Sequence, residues 1–251
     1  MTRLIGAALA LALVSGLVGT GRAADKDTDA ILDKAIKALG GADKLEKAKN
    51  LNWKSKGTVT IMGADNPFTT SATAQGLDHF RSEIEGEFGG NKFQALSVLA
   101  GDKGWRKFAG NVAAMDKDAV ANEKRTLYLN VIPMTVLPLR GNGFKVAAAG
   151  EEKVGDKPAV VLKVTPPDGK DFKLYFDKQS GLPVKSVAKV IGFGGDEFTQ
   201  ETTYSDYKDM GGIKKATKVQ SKRNGEKFLD ATITEFRPLE KIDAKTFEEP
   251  K

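Results

Sequence analysis

From Leu51 to the C-terminus the chain repeats one device: a segment whose apolar residues fall at every second position, then a short turn, then another such segment. Leu51, Trp53, Ser55, Gly57, Val59 and Ile61 share one side of the first, with Asn52, Lys54, Lys56, Thr58 and Thr60 on the other. That is the alternation of a strand buried on one face. Residues 78–88 repeat it, with Phe80, Ser82, Ile84, Gly86 and Phe88 opposite His79, Arg81, Glu83, Glu85 and Glu87. Further strands are expected at 93–100, 105–108, 144–148, 159–165, 171–176, 184–191, 197–207, 216–223 and 227–236. They are punctuated by Asp102-Lys103-Gly104, Asp168-Gly169, Gln179-Ser180-Gly181, Gly211-Gly212 and Asn224-Gly225. Connections this short join antiparallel neighbours, because a parallel pair needs a crossover of a dozen or more residues. The expected fold is therefore mainly β with helices: one curled antiparallel sheet forming an unclosed β-barrel.

Two segments break the period. Ile31, Leu32, Ala35, Ile36 and Leu39 recur at helical spacing within 27–49, Gly40-Gly41 ends the first helix, and a short second helix follows over 42–49. The first can cover the concave face of the sheet, and Asp25, Asp27 and Asp29 are expected to cap its start. In the middle of the chain, Asp116 or Asp118 starts a helix through Tyr128. Residues 131–139 are apolar but carry Pro133 and Pro138, which suits a loop on the open side of the sheet better than a strand.

The first 23 residues read as a secretory signal peptide. Arg3 supplies the positive start, residues 4–18 are apolar or small, and Gly21 and Ala23 fit cleavage before Ala24. The apolar run is shorter than the ~20 residues of a membrane span. The expected layout is a leader over 1–23 and one half-barrel domain over 24–251, in the periplasm or secreted.

Chemistry is scarce. The chain has one histidine, His79, and no cysteine. Cysteine nucleophiles, a lipid-bearing N-terminal cysteine and multi-histidine zinc sites are thereby excluded. His79 falls on a polar strand face, as do Glu83, Glu85 and Glu87, where nothing raises a carboxyl pKa. The formal net charge of +6 lacks the concentrated, aromatic-rich basic stripe of a nucleic-acid binder. Lys214, Lys215, Lys218, Lys222, Arg223 and Lys227 around Asn224-Gly225 read as lysines that keep a sheet edge soluble, or as a contact for a membrane surface or acidic partner. No catalytic residue, metal or cofactor is expected.

The residues Tyr175-Phe176-Asp177-Lys178-Gln179-Ser180-Gly181-Leu182-Pro183-Val184-Lys185 and Tyr204-Ser205-Asp206-Tyr207-Lys208-Asp209-Met210-Gly211-Gly212-Ile213 form two hairpin-like segments. With the order of elements, they make the chain from about Ile31 to Phe247 resemble the periplasmic outer-membrane lipoprotein carrier superfamily. The resemblance implies an unclosed β-barrel covered by helices, with an apolar interior that shields acyl chains. Ser55, Gly57, Ser82 and Gly86 leave space on apolar faces. A cavity there would be lined by Trp53, Val59, Phe80, Ile84, Gly86, Phe88, Val131, Met134, Leu137, Phe172 and Leu174.

Two readings follow. The first is an exported, non-enzymatic binding protein for a lipid or lipoprotein acyl chain, with transient contacts to membrane or envelope proteins. The alternative is a cell-envelope structural or interaction protein with a packed interior and a basic interaction edge.

Overall fold

A computed structural model of the chain describes residues 20–251 except 142 and 193. Two helices, α1 (Thr20–Leu39) and α2 (Ala42–Lys47), precede six strands: β1 (Asn50–Ile61), β2 (Ala64–Gln75), β3 (His79–Phe88), β4 (Asn91–Ala100), β5 (Lys103–Phe108) and β6 (Asn111–Ala114). Helix α3 (Lys117–Thr135) and a 3₁₀ turn (Leu137–Arg140) separate these from seven more: β7 (Lys145–Val154), β8 (Lys157–Thr165), β9 (Phe172–Asp177), β10 (Pro183–Ile191), β11 (Glu197–Met210), β12 (Ile213–Arg223) and β13 (Glu226–Pro238). A second 3₁₀ turn, Ala244–Phe247, follows the last strand.

All thirteen strands form one antiparallel sheet in the order β6-β5-β4-β3-β2-β1-β13-β12-β11-β10-β9-β8-β7. It is two hairpin meanders fused where β1 pairs β13, from Leu51 opposite Pro238 to Val59 opposite Leu229. The sheet does not close. Its two edges, β6 and β7, are neighbours in sequence but lie at opposite ends of the sheet, so the connection containing α3 must bridge the gap. Helix α3 touches β4 and β5 on one arm and β10 on the other.

The apolar core lies between the sheet and the helices. Leu32, Ala35, Ile36 and Leu39 of α1, Leu45 of α2 and Leu127, Val131, Ile132 and Met134 of α3 pack with Trp53, Phe80, Leu99, Leu162, Phe172, Leu174 and Phe236 from the sheet. Helix α1 also protects one edge: the Ala148 amide of β7 donates to Thr28 Oγ1 at 3.0 Å. A bulge between Ala148 and Glu151 interrupts the same strand. Both features discourage edge-to-edge pairing. Among the described residues no helix is long and apolar enough to cross a membrane.

Several expectations need correction. Strands β2 and β6 were not expected. Strand β2 is rich in Ser, Thr and Ala and carries Pro67, which is tolerated because the ladder to β3 begins only at Phe68. Residues 131–135 are helical, not loop, and Pro133 lies in the last turn of α3. That turn closes on Val136, whose left-handed backbone (φ 59) lets its amide donate to the Ile132 carbonyl. Asp27 and Asp29 do not cap α1, because the helix already runs from Thr20; Asp29 and Asp33 instead meet Arg140, and the expected cap residue Asp25 has a side chain outside the described ones. Basic residues 214–227 do not lie on a sheet edge: β12 sits between β11 and β13. His79 is half-buried, packed against Phe247 with ring centroids 5.3 Å apart, not fully solvated. The expected leader lies outside the described residues apart from 20–23, whose backbone is already helical.

Candidate functional site

Between the concave face of the sheet and α3 is a cavity of about 330 Å³, at the lower end of the ~300–1,000 Å³ usual for small-molecule sites. Its existence follows from the inward positions of the central strands. Where tight packing would call for Leu or Ile, the chain supplies Ser55, Thr70, Ala72, Ser82, Ser186, Ala188, Thr202, Ser221 and Ala231. Larger apolar groups complete the wall: Trp53 and Phe80, which stack with centroids 6.0 Å apart, and Phe68, Leu129, Met134, Val190, Val219 and Ile233.

The hydroxyls of the wall largely satisfy one another across strands. Ser55 and Thr70 share a hydrogen bond of 2.6 Å, Ser186 and Tyr204 one of 2.9 Å, and Thr202 and Ser221 another of 2.9 Å. Burial pushes the Tyr204 phenol up to about 12, so it stays neutral. With its hydroxyls paired, the wall presents mainly carbon to an occupant.

Helix α3 is fixed over the cavity by Arg125, which is 3% exposed. Its guanidinium donates to three carbonyls, Lys189 at 2.8 Å, Lys170 at 2.7 Å and Asp171 at 3.2 Å, and lies 3.6 Å from the Asp168 carboxylate. One side chain thus ties the helix to β10 and to the β8–β9 loop.

The other two basic groups of the wall differ. Arg223, half-buried at the end of β12, places its guanidinium 3.5 Å from the Phe228 ring centroid and 5.3 Å from that of Phe198. Its Nε donates to Gln200 at 3.0 Å. Lys215 is 4% exposed. Among the described residues its ammonium meets no hydrogen-bond acceptor or carboxylate, and its compensating contact is the Phe236 ring, 6.0 Å away. Loss of hydration alone drives its pKa down to about 7.

Of the residues expected at a cavity, Trp53, Phe80 and Met134 line this one. Val131, Phe172 and Leu174 are buried in the surrounding core, and Leu137 packs against it. Val59, Ile84, Gly86 and Phe88 lie further along their strands, outside the wall, and Phe88 is 43% exposed. Two of the four small residues do not leave space. A Cβ on Gly57 would stand 2.0 Å from the Asp230 carbonyl oxygen, so this glycine permits close approach of β13, and the room beside Gly86 is filled by the Phe93 ring. Ser55 and Ser82 do face the cavity. Lys215 and Arg223 were counted among surface lysines and arginines, although the period-two parity of β12, with Ile213, Val219 and Ser221 inward, places both on the inner row.

A second, larger groove of about 670 Å³ lies between β3–β5 and the C-terminal residues 245–251. Its wall carries Arg81, Glu83, Lys92, Lys107, Glu248 and Glu249, a charged lining unsuited to an apolar ligand.

Comparison with known proteins yields no matching family model and no matching curated protein. Solved structures do share the fold. A LolA superfamily protein from Nitrosomonas europaea superposes with a TM-score of 0.57 at 12% identity, over 88% of this chain and 97% of that one. A DUF1329 family protein from Desulfovibrio piger gives 0.54 at 15% identity, over 88% and 97%. A domain assigned as an outer membrane lipoprotein-sorting protein from Vibrio parahaemolyticus gives 0.50 at 11% identity, over 86% and 97%. The chain therefore has the half-barrel fold of these proteins.

Proposed function

We propose that this chain is an exported binding protein, a single half-barrel domain over 24–251 behind a cleaved leader, that shields one acyl chain in the cavity beneath α3. The observation that carries the proposal is the wall itself: short residues on the central strands create the space, and most of their hydroxyls pair off so that the surface offered is more apolar than polar. Binding would come from burial of apolar surface, at roughly 25 cal/mol per Å² before the cost of association. No covalent step is involved. The shared fold with a LolA superfamily protein and a lipoprotein-sorting domain supports the same role.

One rim of the sheet suits delivery from a membrane surface. The antiparallel order brings the β1–β2, β3–β4, β5–β6 and β12–β13 turns to the same end. Met62, Phe88 and Phe108 are exposed at the first three, and Arg223 stands beside the last. Apolar tips near a basic group fit brief contact with anionic lipid.

Organic extraction of the purified exported protein, followed by mass spectrometry, tests the role. A lipid or fatty acid recovered near 1:1 is expected. A protein that carries no lipid and binds no acyl compound when titrated would refute it.

A further inference from the structure

Six hydroxyls of the cavity wall pair with one another, and Arg223 meets Gln200; Lys215 has no such partner among the described residues. A buried amine without a hydrogen-bond acceptor or carboxylate among the described residues weakens the fold unless something arrives to meet it. Its position is specific. Lys215 stands near the start of β12, just after the Gly211-Gly212 turn, and that turn lies against the α1–α2 junction: a Cβ built on Gly40 would fall 2.4 Å from the Gly212 oxygen. Helices therefore cover this end of the cavity. Arg223, eight residues further along the same strand, marks the opposite, hairpin-tip end, about 26 Å away at ~3.3 Å per residue. Val219 and Ile233 line the way between them.

We infer that the ligand is a free long-chain carboxylic acid, its carboxylate seated on the Lys215 ammonium and its tail directed toward the hairpin-tip rim. This rests on the proposed acyl-binding role and names the ligand class. The ester- and amide-linked chains of a lipoprotein end in methyl groups, which gain nothing from an amine at the covered end. A phosphate head, with up to two charges and three oxygens to satisfy, is matched by an arginine fork or a set of backbone amides; a lone ammonium matches one carboxylate. Pairing restores to the amine the interaction that burial removed, so recognition of the head and relief of the site coincide.

Calorimetric titration of the delipidated protein with dodecanoate, methyl dodecanoate and a synthetic diacylated lipopeptide tests the inference. Dodecanoate is expected to bind 1:1 and at least tenfold more tightly than its methyl ester. In Lys215→Met the acid should fall to the affinity of the ester, with ester binding unchanged. Equal affinity of acid and ester in the native protein would overturn the inference without recourse to any variant, as would undiminished dodecanoate binding by Lys215→Met. Lipopeptide or ester binding with no preference for the acid leaves the acyl-binding role standing and removes the carboxylate. Failure of all three to bind overturns both.

Discussion

Lys215 makes the fold less stable than an apolar residue at the same place would. In the folded chain its pKa lies near 7, against 10.5 for a free lysine. Between those values the unfolded chain holds a proton that the folded chain lacks, so stability rises with pH across that window. At about 1.4 kcal/mol per pKa unit, the cost below pH 7 is on the order of 5 kcal/mol as an upper bound. Urea unfolding at pH 6.5 and 9.5 should show the native midpoint climbing and that of Lys215→Met higher at pH 6.5 and nearly flat; a midpoint that falls with pH would contradict the buried, unpaired amine. Gly57→Ala is expected to cost about 1–3 kcal/mol, measured in the same assay, because its Cβ would collide with the β13 backbone. Both residues illustrate what the sequence conceals. A glycine in a strand reads equally as room for a ligand or room for a neighbouring backbone, and the choice depends on a partner strand more than 170 positions away. Lys215 could have been found by parity, but a lysine in a basic stretch is nearly always solvated.

Among the elements, the strongly alternating strands and the α1 stripe were legible, while β2 and β6 were not. The inner row of β2 is Asn66, Phe68, Thr70, Ala72 and Ala74, and with one large apolar side chain among five it carries little alternating hydrophobic signal; the strand is held by ladders to β1 and β3 on either side. The same small residues that hide the strand from its sequence open the cavity. Helix α3 was read seven residues, about two turns, too short: the chain stays helical through Pro133, which removes one amide donor without ending the helix. Its attachment depends on Arg125. Arg125→Met keeps the apolar stem but leaves three carbonyls without their donor, and a loss of about 1–3 kcal/mol is expected. Amide hydrogen exchange should quicken in α3 more than in β1 or β13; equal acceleration throughout the sheet would show that Arg125 is not specific to the helix. At the rim, changing Met62, Phe88 and Phe108 together to Ser should reduce co-flotation with anionic liposomes at least severalfold while leaving thermal stability unchanged, because all three side chains are substantially exposed. Undiminished flotation would exclude these tips as the contact.

At the level of the whole molecule, a thirteen-stranded sheet that curls without closing requires something at its open side, and the chain places α3 there on the connection between the two edge strands. The enclosed volume follows from that geometry and from the short inner residues together, which is why the curled sheet was legible in the sequence and the cavity wall was not: the wall is assembled from β1–β3, β10–β13 and α3, and no local pattern records which inward positions face one another. The proposed role requires that space to be an acyl site. Its most direct test is titration with a fluorescent fatty acid of the native protein and of Ala188→Leu/Ala231→Leu, which fills the cavity from two strands. Saturable 1:1 binding by the native protein is expected, with its loss in the double variant and an unfolding temperature in the variant that is not lowered. No binding by the native protein, together with a clear drop in the variant's unfolding temperature, would show the interior to be already full and contradict that role.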